Sequence, residues 1–387
     1  MKILHTSDWH LGHTLYGYDR TEEQMHMLSR MVDIVSVEKP DLFLLCGDVF
    51  HTSQPSAAVS KLFSDAIVSL HQAYPEMVMV VTAGNHDSAT RHEVFATPWK
   101  FINVHTIGTL AKDDPRRHII SLPGKGWVVA IPYAHERNMP EGFCQTLLDA
   151  VAELNTDNLP VIMTAHTTVK GCDFKGHDVI SDYMVGGIDY VDVKDMGEGY
   201  DYLALGHIHH PQFVHTGHHN VRYSGTPIAV SFDEDYPHTA SIVEINSHGE
   251  TPLVKEIEVE NVRPLVNLPK NGFTRWETAK QLLKEFPIDS KAYIRLNVEI
   301  DDVLPQGAVH DAETLAAGKE CRFCHINTRR KIAGESSGKR FSIEEFSVKT
   351  PEEVAAAFFA SMGVDAEGEM MSLFRQAADL VEEDLRK

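Results

Sequence analysis

The sequence is short of cysteine and of long apolar runs, and each shortage excludes a class of protein. Five cysteines in 387 residues are an odd and scattered number, which excludes a disulfide framework and predicts reduced thiols in the cytoplasm. The longest apolar runs, at residues 42–46 and 77–81, are far below the ~20 residues that span a bilayer. No signal-peptide core follows Lys2. We therefore expect no membrane segment.

Positive charge is also scarce. The 35 Lys and Arg residues face 56 Asp and Glu residues, which leaves a formal net charge of -21. Because affinity for naked nucleic acid depends mainly on cationic contacts to phosphate, this balance argues at first against a nucleic-acid-binding protein. The 43% hydrophobic and 24% charged residues are typical of a globular chain. At this length we expect roughly two or three domains.

Histidine, by contrast, is abundant, with 23 residues. Many of them fall in five polar clusters, each directly after or at the end of a short run typical of a buried strand. The runs cover about residues 2–5, 41–46, 77–82, 160–164 and 202–205. In α/β folds, ligands bind beyond the carboxyl ends of the strands, so we predict that the five clusters meet at one site.

The same alternation of strands and helical stretches predicts an α/β fold. Later strands are predicted to be more antiparallel and to complete a two-layered β-sandwich core flanked by helices. They lie at about residues 221–223, 228–231, 239–245 and 251–259. We place this first domain at residues 1–262.

Two further regions follow. Residues 263–335 are predicted to form a small α+β domain. In it, Thr274 and Glu277 make a capping box before a helix, and residues 293–300 alternate as a strand. A linker and two amphipathic helices make up residues 336–387. These helices either pack on the chain's own core or dock onto a partner.

The clusters are rich in side chains that bind metals. Asp8 and His10 are two residues apart, as are His207 and His209, and in an extended segment this spacing puts both side chains on one side. The full set contains seven nitrogen and oxygen ligands: Asp8, His10, Asp48, Asn85, His166, His207 and His209. Ligands without sulfur suit Mn, Fe, Mg or Zn. Seven ligands suit a pair of cations that share a carboxylate and act on a phosphoester.

These clusters resemble the motif set of the calcineurin-like metallophosphoesterases. The matching blocks are Asp8-x-His10, Gly47-Asp48, Gly84-Asn85-His86-Asp87, His166 and Gly206-His207-x-His209. The longer segments are similar to those of the nuclease D subunits of the bacterial SbcCD family, over about residues 1–235. They read ILHTSDWHLG, GDVFH, GNHDS, LGHIHHPQ and YSGTPIAVSFDE.

This resemblance implies a DNA nuclease of repair, recombination and replication that hydrolyses phosphodiesters with two divalent ions. It would act as an exonuclease on double strands and as an endonuclease on single strands and hairpins. Manganese is the expected metal, with magnesium or iron as alternatives. One ion would be held by Asp8, His10, Asp48 and His209, and the other by Asp48, Asn85, His166 and His207.

The resemblance also assigns roles beside the metals. His86 would be the catalytic residue next to the scissile phosphate, where an imidazole supplies charge as the transition state develops it. His51 would be a further histidine on the phosphate side. For Asp87, two roles stay open: a local turn residue, or a residue that orients a histidine.

Partners are implied as well. They are DNA, a coiled-coil ATPase subunit of the SbcC type bound by the terminal helices, and a second copy of the chain within a heterotetramer. The small domain would cap the site. Because the chain has no Gly-rich, Lys-containing phosphate loop, any dependence on ATP must come from another subunit.

Two other functions remain open at this point. A phosphatase or nucleotide phosphodiesterase could use the same core, since fold and metals do not fix the substrate. A structural subunit could have retained the motifs without the activity. The residues that follow the first cluster are expected either to contact substrate or to form a plain surface loop: His13, Tyr16, Tyr18 and Arg20.

Overall fold

The computed structural model describes residues 1–175, 190–214 and 219–331, together with positions 355, 371 and 374. The chain divides into two compact units. The large one, Met1–Glu299 with Val303–Arg329, contains nearly all of the elements below, and the small one is Ile300–Asp302 with Arg330–Lys387. The helix pair predicted at 336–387 lies outside the described residues, apart from three single positions. Within the described part, no helix is long and apolar enough to cross a membrane.

The described elements are fifteen strands and six α-helices. The strands are β1 Lys2–Thr6, β2 Leu42–Cys46, β3 Val78–Thr82, β4 Val104–Ile107, β5 Ile119–Leu122, β6 Gly126–Ala130, β7 Val161–His166, β8 Tyr202–Gly206, β9 Gln212–Phe213, β10 Val221–Tyr223, β11 Thr239–Glu244, β12 Leu253–Glu258, β13 Leu265–Leu268, β14 Tyr293–Ile300 and β15 Arg322–Arg330. The helices are α1 Thr21–Glu38, α2 Ala57–Ala73, α3 Ala89–Trp99, α4 Phe143–Leu154, α5 Trp276–Glu285 and α6 Ala308–Ala316.

Two six-stranded sheets form the core of the large unit. Their strand orders are β12-β11-β1-β2-β3-β4 and β5-β6-β7-β8-β10-β9. The strands β1 to β4 run parallel, and β11 and β12 complete the first sheet in antiparallel pairing. The two sheets share one apolar layer, to which Leu44 and Val80 contribute from the first sheet and Ile162 and Ala204 from the second. The predicted two-layered core is therefore confirmed.

Helices cover the outer faces of both sheets. Apolar residues of α1 and α2 pack with the first sheet, and those of α4 pack with the second. A strand such as β2 is consequently buried at all five positions. Strands covered on both faces have continuous apolar sequences rather than alternating ones. This is why the runs before the polar clusters were recognisable in the sequence.

A third sheet, β13-β14-β15, follows, with α5 and α6 between its strands in sequence. The face of β14 that was predicted to be apolar is buried at Ile294, Leu296 and Val298, but the other face is buried as well from Tyr293 to Asn297. The opposite face carries Arg295, whose guanidinium contacts the Asp233 carboxylate at 2.6 Å. This face contacts the first part of the chain through the Arg295–Asp233 ion pair and through Tyr293, which packs with Leu15 and Phe232.

Two local predictions are wrong. Residues 228–231 form no strand, because the Thr226 hydroxyl bonds the Ile228 carbonyl at 2.8 Å and the Glu234 carboxylate accepts the Val230 N–H at 3.0 Å. Such side-chain bonds replace the partners that a strand would offer. The capping box at Thr274 does not form either. That residue's backbone pairs with β14 instead, and α5 starts without a side-chain cap.

Candidate metal centre

The carboxyl ends of β1, β2, β3, β7 and β8 bring the five polar clusters together. The loop after β1 is tied to the loop after β2 by two backbone hydrogen bonds, from Asp8 N–H to the Gly47 carbonyl and from His10 N–H to the Asp48 carbonyl, each 3.0 Å long. His166 is the last residue of β7 itself rather than the residue after it. The predicted convergence at one site is therefore what the structure shows, and strands of both sheets contribute to it.

Glycines allow these strand ends to approach so closely. A Cβ atom on Gly47 would collide with the His166 ring, 2.1 Å from its Nδ1, and one on Gly84 would collide with the Asp48 carboxylate. A Cβ atom on Gly206 would strike the backbone carbonyl of Cys46. Glycine therefore precedes the polar residue in three clusters because any side chain there would separate the groups that the site brings together.

Strained backbone aims several of the side chains. Asp8, His10, Asp48 and His207 have positive φ angles of 54°, 44°, 48° and 97°. A left-handed conformation at such residues costs on the order of 1 to 3 kcal/mol each and persists only where the surroundings impose it. Four predicted ligands adopt it, which indicates that the site is organised around their direction.

One group of ligand atoms consists of Asp8, His10 and His209, which are all buried and lie within 4.8 Å of one another. His209 donates from Nδ1 to Glu234 Oε1 at 2.9 Å, so its Nε2 presents a lone pair. That Nε2 faces His10 Nε2 at 3.2 Å. Within the described residues, His10 Nδ1 is buried without a hydrogen-bond partner.

A second group consists of Asp48, His166 and His207. His166 donates from Nδ1 to the Cys46 carbonyl at 2.8 Å, and its Nε2 lies 3.4 Å from Asp48 Oδ2. The amide oxygen of Asn85 lies 3.0 Å from His166 Nε2 and 3.1 Å from His207 Nδ1. These nitrogen and oxygen atoms therefore converge on one point. The Asp48 carboxylate also lies 3.8 Å from His10 Nε2, between the two groups.

The electrostatics of the centre reflect buried carboxylates among imidazoles. Burial raises the pKa of Asp8. Burial also opposes the charge on Asp48, but His166, His10 and His86 hold the pKa of that carboxyl well below its usual value. Burial would lower the pKa of His166, yet the Asp48 carboxylate raises it to about 9. Imidazole nitrogens that converge beside buried carboxylates are the surroundings that divalent cations require, so the residues fit the implied metals.

His86 and His51 lie beside these groups and are half-buried. The His86 backbone N–H donates to Asp48 Oδ1 at 2.9 Å, and its ring Nδ1 lies 3.0 Å from the His51 carbonyl. The two rings are nearly parallel, with centroids 5.7 Å apart. His13 extends the row, because its ring centroid is 4.6 Å from that of His51.

Asp87 serves the loops and contacts no predicted ligand side chain. Its carboxylate accepts the backbone N–H groups of Gly84, Val49 and Phe50 at 2.8, 3.1 and 2.9 Å. These bonds join the loop after β3 to the loop after β2. Asp87 Oδ2 also lies 3.5 Å from Nε2 of His92, a histidine that is not a predicted ligand. The structure therefore shows the local role and no contact that would orient a predicted ligand.

Glu234 is a residue that sequence reasoning missed. Its side chain is fully buried, and it accepts from His209 Nδ1 through Oε1 and from the Val230 N–H through Oε2. A carboxylate that fixes the tautomer and orientation of a histidine is common around metal sites. The residue lies in the segment YSGTPIAVSFDE, but no spacing relates it to a histidine cluster.

Known proteins have sequences similar to that of this chain. Residues 1–211 match the family model for calcineurin-like phosphoesterases. The D subunit of the SbcCD nuclease of Bacillus subtilis is 29% identical over 99% of this chain and 99% of its own length. Its counterpart in Rhodobacter capsulatus is 31% identical over 70% of this chain and 72% of its own, and that of Escherichia coli K12 is 30% identical over 69% and 70%. The resemblance predicted from the motifs is confirmed, and the chain belongs to the calcineurin-like phosphoesterases, within the family of SbcCD nuclease D subunits.

Proposed function

We propose that this chain is the metal-dependent nuclease subunit of a DNA-processing complex and that it hydrolyses phosphodiesters. The observation that carries the proposal is the pair of buried ligand groups that meet at Asp48, with His86 and His51 beside them. The relatives are nuclease subunits, which supports the choice of a nucleic acid over a phosphomonoester as substrate.

We assign the ions as the motifs implied. One ion would be held by Asp8, His10, Asp48 and His209. The other would be held by Asp48, Asn85, His166 and His207. Nitrogen and oxygen donors without sulfur suit manganese, with magnesium or iron as alternatives. When bound, the ions would supply water activation and charge stabilisation for an in-line displacement at phosphorus.

The chain's own residues would position and protonate the substrate. The contact between His86 Nδ1 and the His51 carbonyl fixes the tautomer, which leaves Nε2 of His86 for a phosphoryl or leaving-group oxygen. A protonated Nε2 would stabilise the charge that grows on those oxygens. The neighbouring His51 ring would make a second contact on the phosphate side.

The wider assignments belong to the same proposal. The nuclease domain would cover residues 1–262, the small domain 263–335 would cap the site, and residues 336–387 would dock onto a coiled-coil ATPase subunit. Two copies would assemble within a heterotetramer that works in repair, recombination and replication, as an exonuclease on duplexes and an endonuclease on single strands and hairpins. All five cysteines are free, which supports a reducing, cytoplasmic compartment.

Substrate choice tests the proposal directly. The purified chain with Mn²⁺ would be given single-stranded DNA, duplex DNA and a phosphomonoester, with and without its ATPase partner and ATP. We expect DNA cleavage that requires the metal and stops on chelation. High turnover of the monoester without DNA cleavage would establish the phosphatase instead. Metal binding without any hydrolysis would favour the structural subunit.

A further inference from the structure

The loop between β1 and α1 carries a tight turn that displays Tyr16. Leu15 and Tyr18 exchange two backbone hydrogen bonds of 3.1 and 3.0 Å around it. The central residues, Tyr16 and Gly17, have φ angles of 50° and 83°, the sign pattern of a type I′ turn. Such turns favour Asn, Asp or Gly at both positions. A tyrosine with positive φ has a backbone strain energy that Asn would largely avoid. Strained backbone of this kind is concentrated at functional sites.

The Tyr16 ring lies on a fixed aromatic partner. It stacks on the imidazole of His325 in β15, with ring centroids 4.7 Å apart and planes 16° apart. Even so, Tyr16 remains 51% exposed, while its neighbour Leu15 is 4% exposed and packs against Phe232 and Tyr293. The turn is thus anchored firmly, and the Tyr16 ring, which also contacts the Phe232 ring with centroids 6.0 Å apart, stays half exposed on its His325 support. Nucleobases stack on rings presented in this way.

The strand beneath the ring offers polar groups on the same face. Successive side chains of β15 alternate, so Asn327 and Arg329 share the face of His325. Asn327 bonds Asn297 of β14 at 3.0 Å. Arg329 lies over the ring of Phe273 with its guanidinium carbon 4.5 Å from the centroid. Its side chain contacts Glu299 at 3.1 Å but stays 55% exposed. A cation on this face can contact the phosphate backbone of a strand whose base stacks on Tyr16.

The turn is close to the metal centre along the chain. Tyr16 follows His10 by six residues, which limits the separation of their Cα atoms to about 20 Å. The intervening loop is held in place, because Arg20 contacts His13 Nδ1 at 3.2 Å and the Ala229 carbonyl at 2.6 Å. A base on Tyr16 would therefore lie within a few nucleotides of the phosphate at the metals.

We propose that Tyr16, supported by His325, is a stacking site for one unpaired nucleobase close to the scissile phosphate. The inference rests on the proposed function, since the base would belong to the strand that is cut. Unpaired DNA is the expected ligand, because a base inside a duplex has both of its faces already covered by its neighbours.

Fluorescence of 2-aminopurine, which falls when the base stacks, tests the site without cleavage. The full chain would be titrated at low salt and in EDTA with single-stranded DNA containing this base. We expect quenching by the wild type and by Tyr16→Phe, and loss of quenching with roughly 5- to 100-fold weaker binding for Tyr16→Asn. Asn suits the turn, so this variant keeps the fold. Quenching by Tyr16→Asn equal to that of the wild type would overturn the proposal. The matched control is Phe101→Ala, which removes an aromatic residue that is 89% exposed elsewhere on the chain.

A second readout separates this site from the proposed function. Methyl p-nitrophenyl phosphate is a small diester that carries no nucleobase. With Mn²⁺, Tyr16→Asn should hydrolyse it at the wild-type rate and cut single-stranded DNA more slowly. Unchanged cutting of single-stranded DNA would contradict the stacking site. If the wild type hydrolysed neither substrate, the proposed nuclease function would be wrong. The quenching measurement in EDTA would still decide whether the stacking site exists.

Discussion

His86 combines a fixed backbone with a ring that is held at one nitrogen. Because its backbone N–H, and not its ring, contacts Asp48 at 2.9 Å, exchange of the ring should leave the buried ligand groups in place. Gln cannot be protonated, so we expect His86→Gln to lower Mn²⁺-dependent DNA cleavage by about 10²- to 10⁴-fold. Cleavage rates would be compared with Mn²⁺ stoichiometry from calorimetry. The matched control is His105→Gln on β4, and wild-type cleavage by His86→Gln would remove this residue from the mechanism.

Glu234 allows a test of how the site orients its ligands. Glu234→Gln retains an oxygen for His209 Nδ1 but removes the charge and the acceptor for the Val230 N–H. We expect Mn²⁺ affinity to fall by roughly 10- to 100-fold, the usual effect of losing such a partner. Titration calorimetry would measure it. Asp233→Asn, at the neighbouring residue that pairs with Arg295, should bind Mn²⁺ like the wild type. Equal affinities for Glu234→Gln and the wild type would show that the carboxylate does not tune the site.

The contrast between Glu234 and the clusters explains what the sequence could reveal at this scale. Asp8 and His10 were recognisable because they follow a strand at a fixed spacing. The structure brings them together with the other predicted ligands, while their binding of metal stays a prediction. Glu234 meets His209 across 25 positions through folding alone. A single glutamate without local periodicity carries no signal of that contact.

Strands behave in the same way at the scale of elements. Continuous apolar runs predicted β2 and β3 to within a residue at each end, because burial on both faces leaves a strong local pattern. The run at 228–231 has a similar appearance, yet bonds from Thr226 and Glu234 take its backbone groups. Those partners lie outside the run, so its pattern could not reveal them.

Gly206, at the end of β8, tests the close packing of the strand ends. Gly206→Ala would force a Cβ against the Cys46 carbonyl and the His166 ring. We expect the free energy of unfolding to fall by about 1 to 3 kcal/mol through overpacking, and Mn²⁺ affinity to fall with it because His166 must move. Denaturant titration and calorimetry would measure the two effects. Gly249→Ala has positive φ but nothing within 4 Å, so it should lose stability alone. Unchanged Mn²⁺ affinity in Gly206→Ala would contradict the expectation that close packing of the strand ends positions His166 for metal binding.

At the scale of the whole molecule, the fold was predictable because two layers of buried strands dominate the sequence pattern. The attachment of the third sheet was not, because it depends on scattered polar contacts. Tyr293 donates to the Glu23 carboxylate at 2.6 Å, and Tyr18 donates to the Phe323 carbonyl at 3.0 Å. The two pairs join residues that are 270 and 305 positions apart in the sequence. No local periodicity encodes such a pair.

The net charge of -21 gives the final prediction. Bound divalent ions would be the largest local charges in the centre and would offset its buried carboxylates. Few cations in the third sheet are left for DNA, since Arg322 contacts the Asp19 carbonyl and the Tyr293 hydroxyl, and Arg295 contacts the Asp233 carboxylate. The isolated chain in EDTA at 150 mM salt should therefore bind duplex DNA no more tightly than about 10⁻⁶ M, the range of non-specific contacts.

Fluorescence anisotropy over a series of salt concentrations would measure this affinity, first for the chain alone and then for its complex with the ATPase partner. We expect the isolated chain to show a shallow salt dependence, because few phosphates are neutralised and few counterions are released. The complex should bind DNA more tightly, and its affinity should fall more steeply with salt concentration. This result would mean that the partner makes most of the contacts to DNA. Tight and strongly salt-sensitive binding by the isolated chain would contradict this prediction. It would mean that local clusters of Lys and Arg bind DNA in spite of the negative net charge.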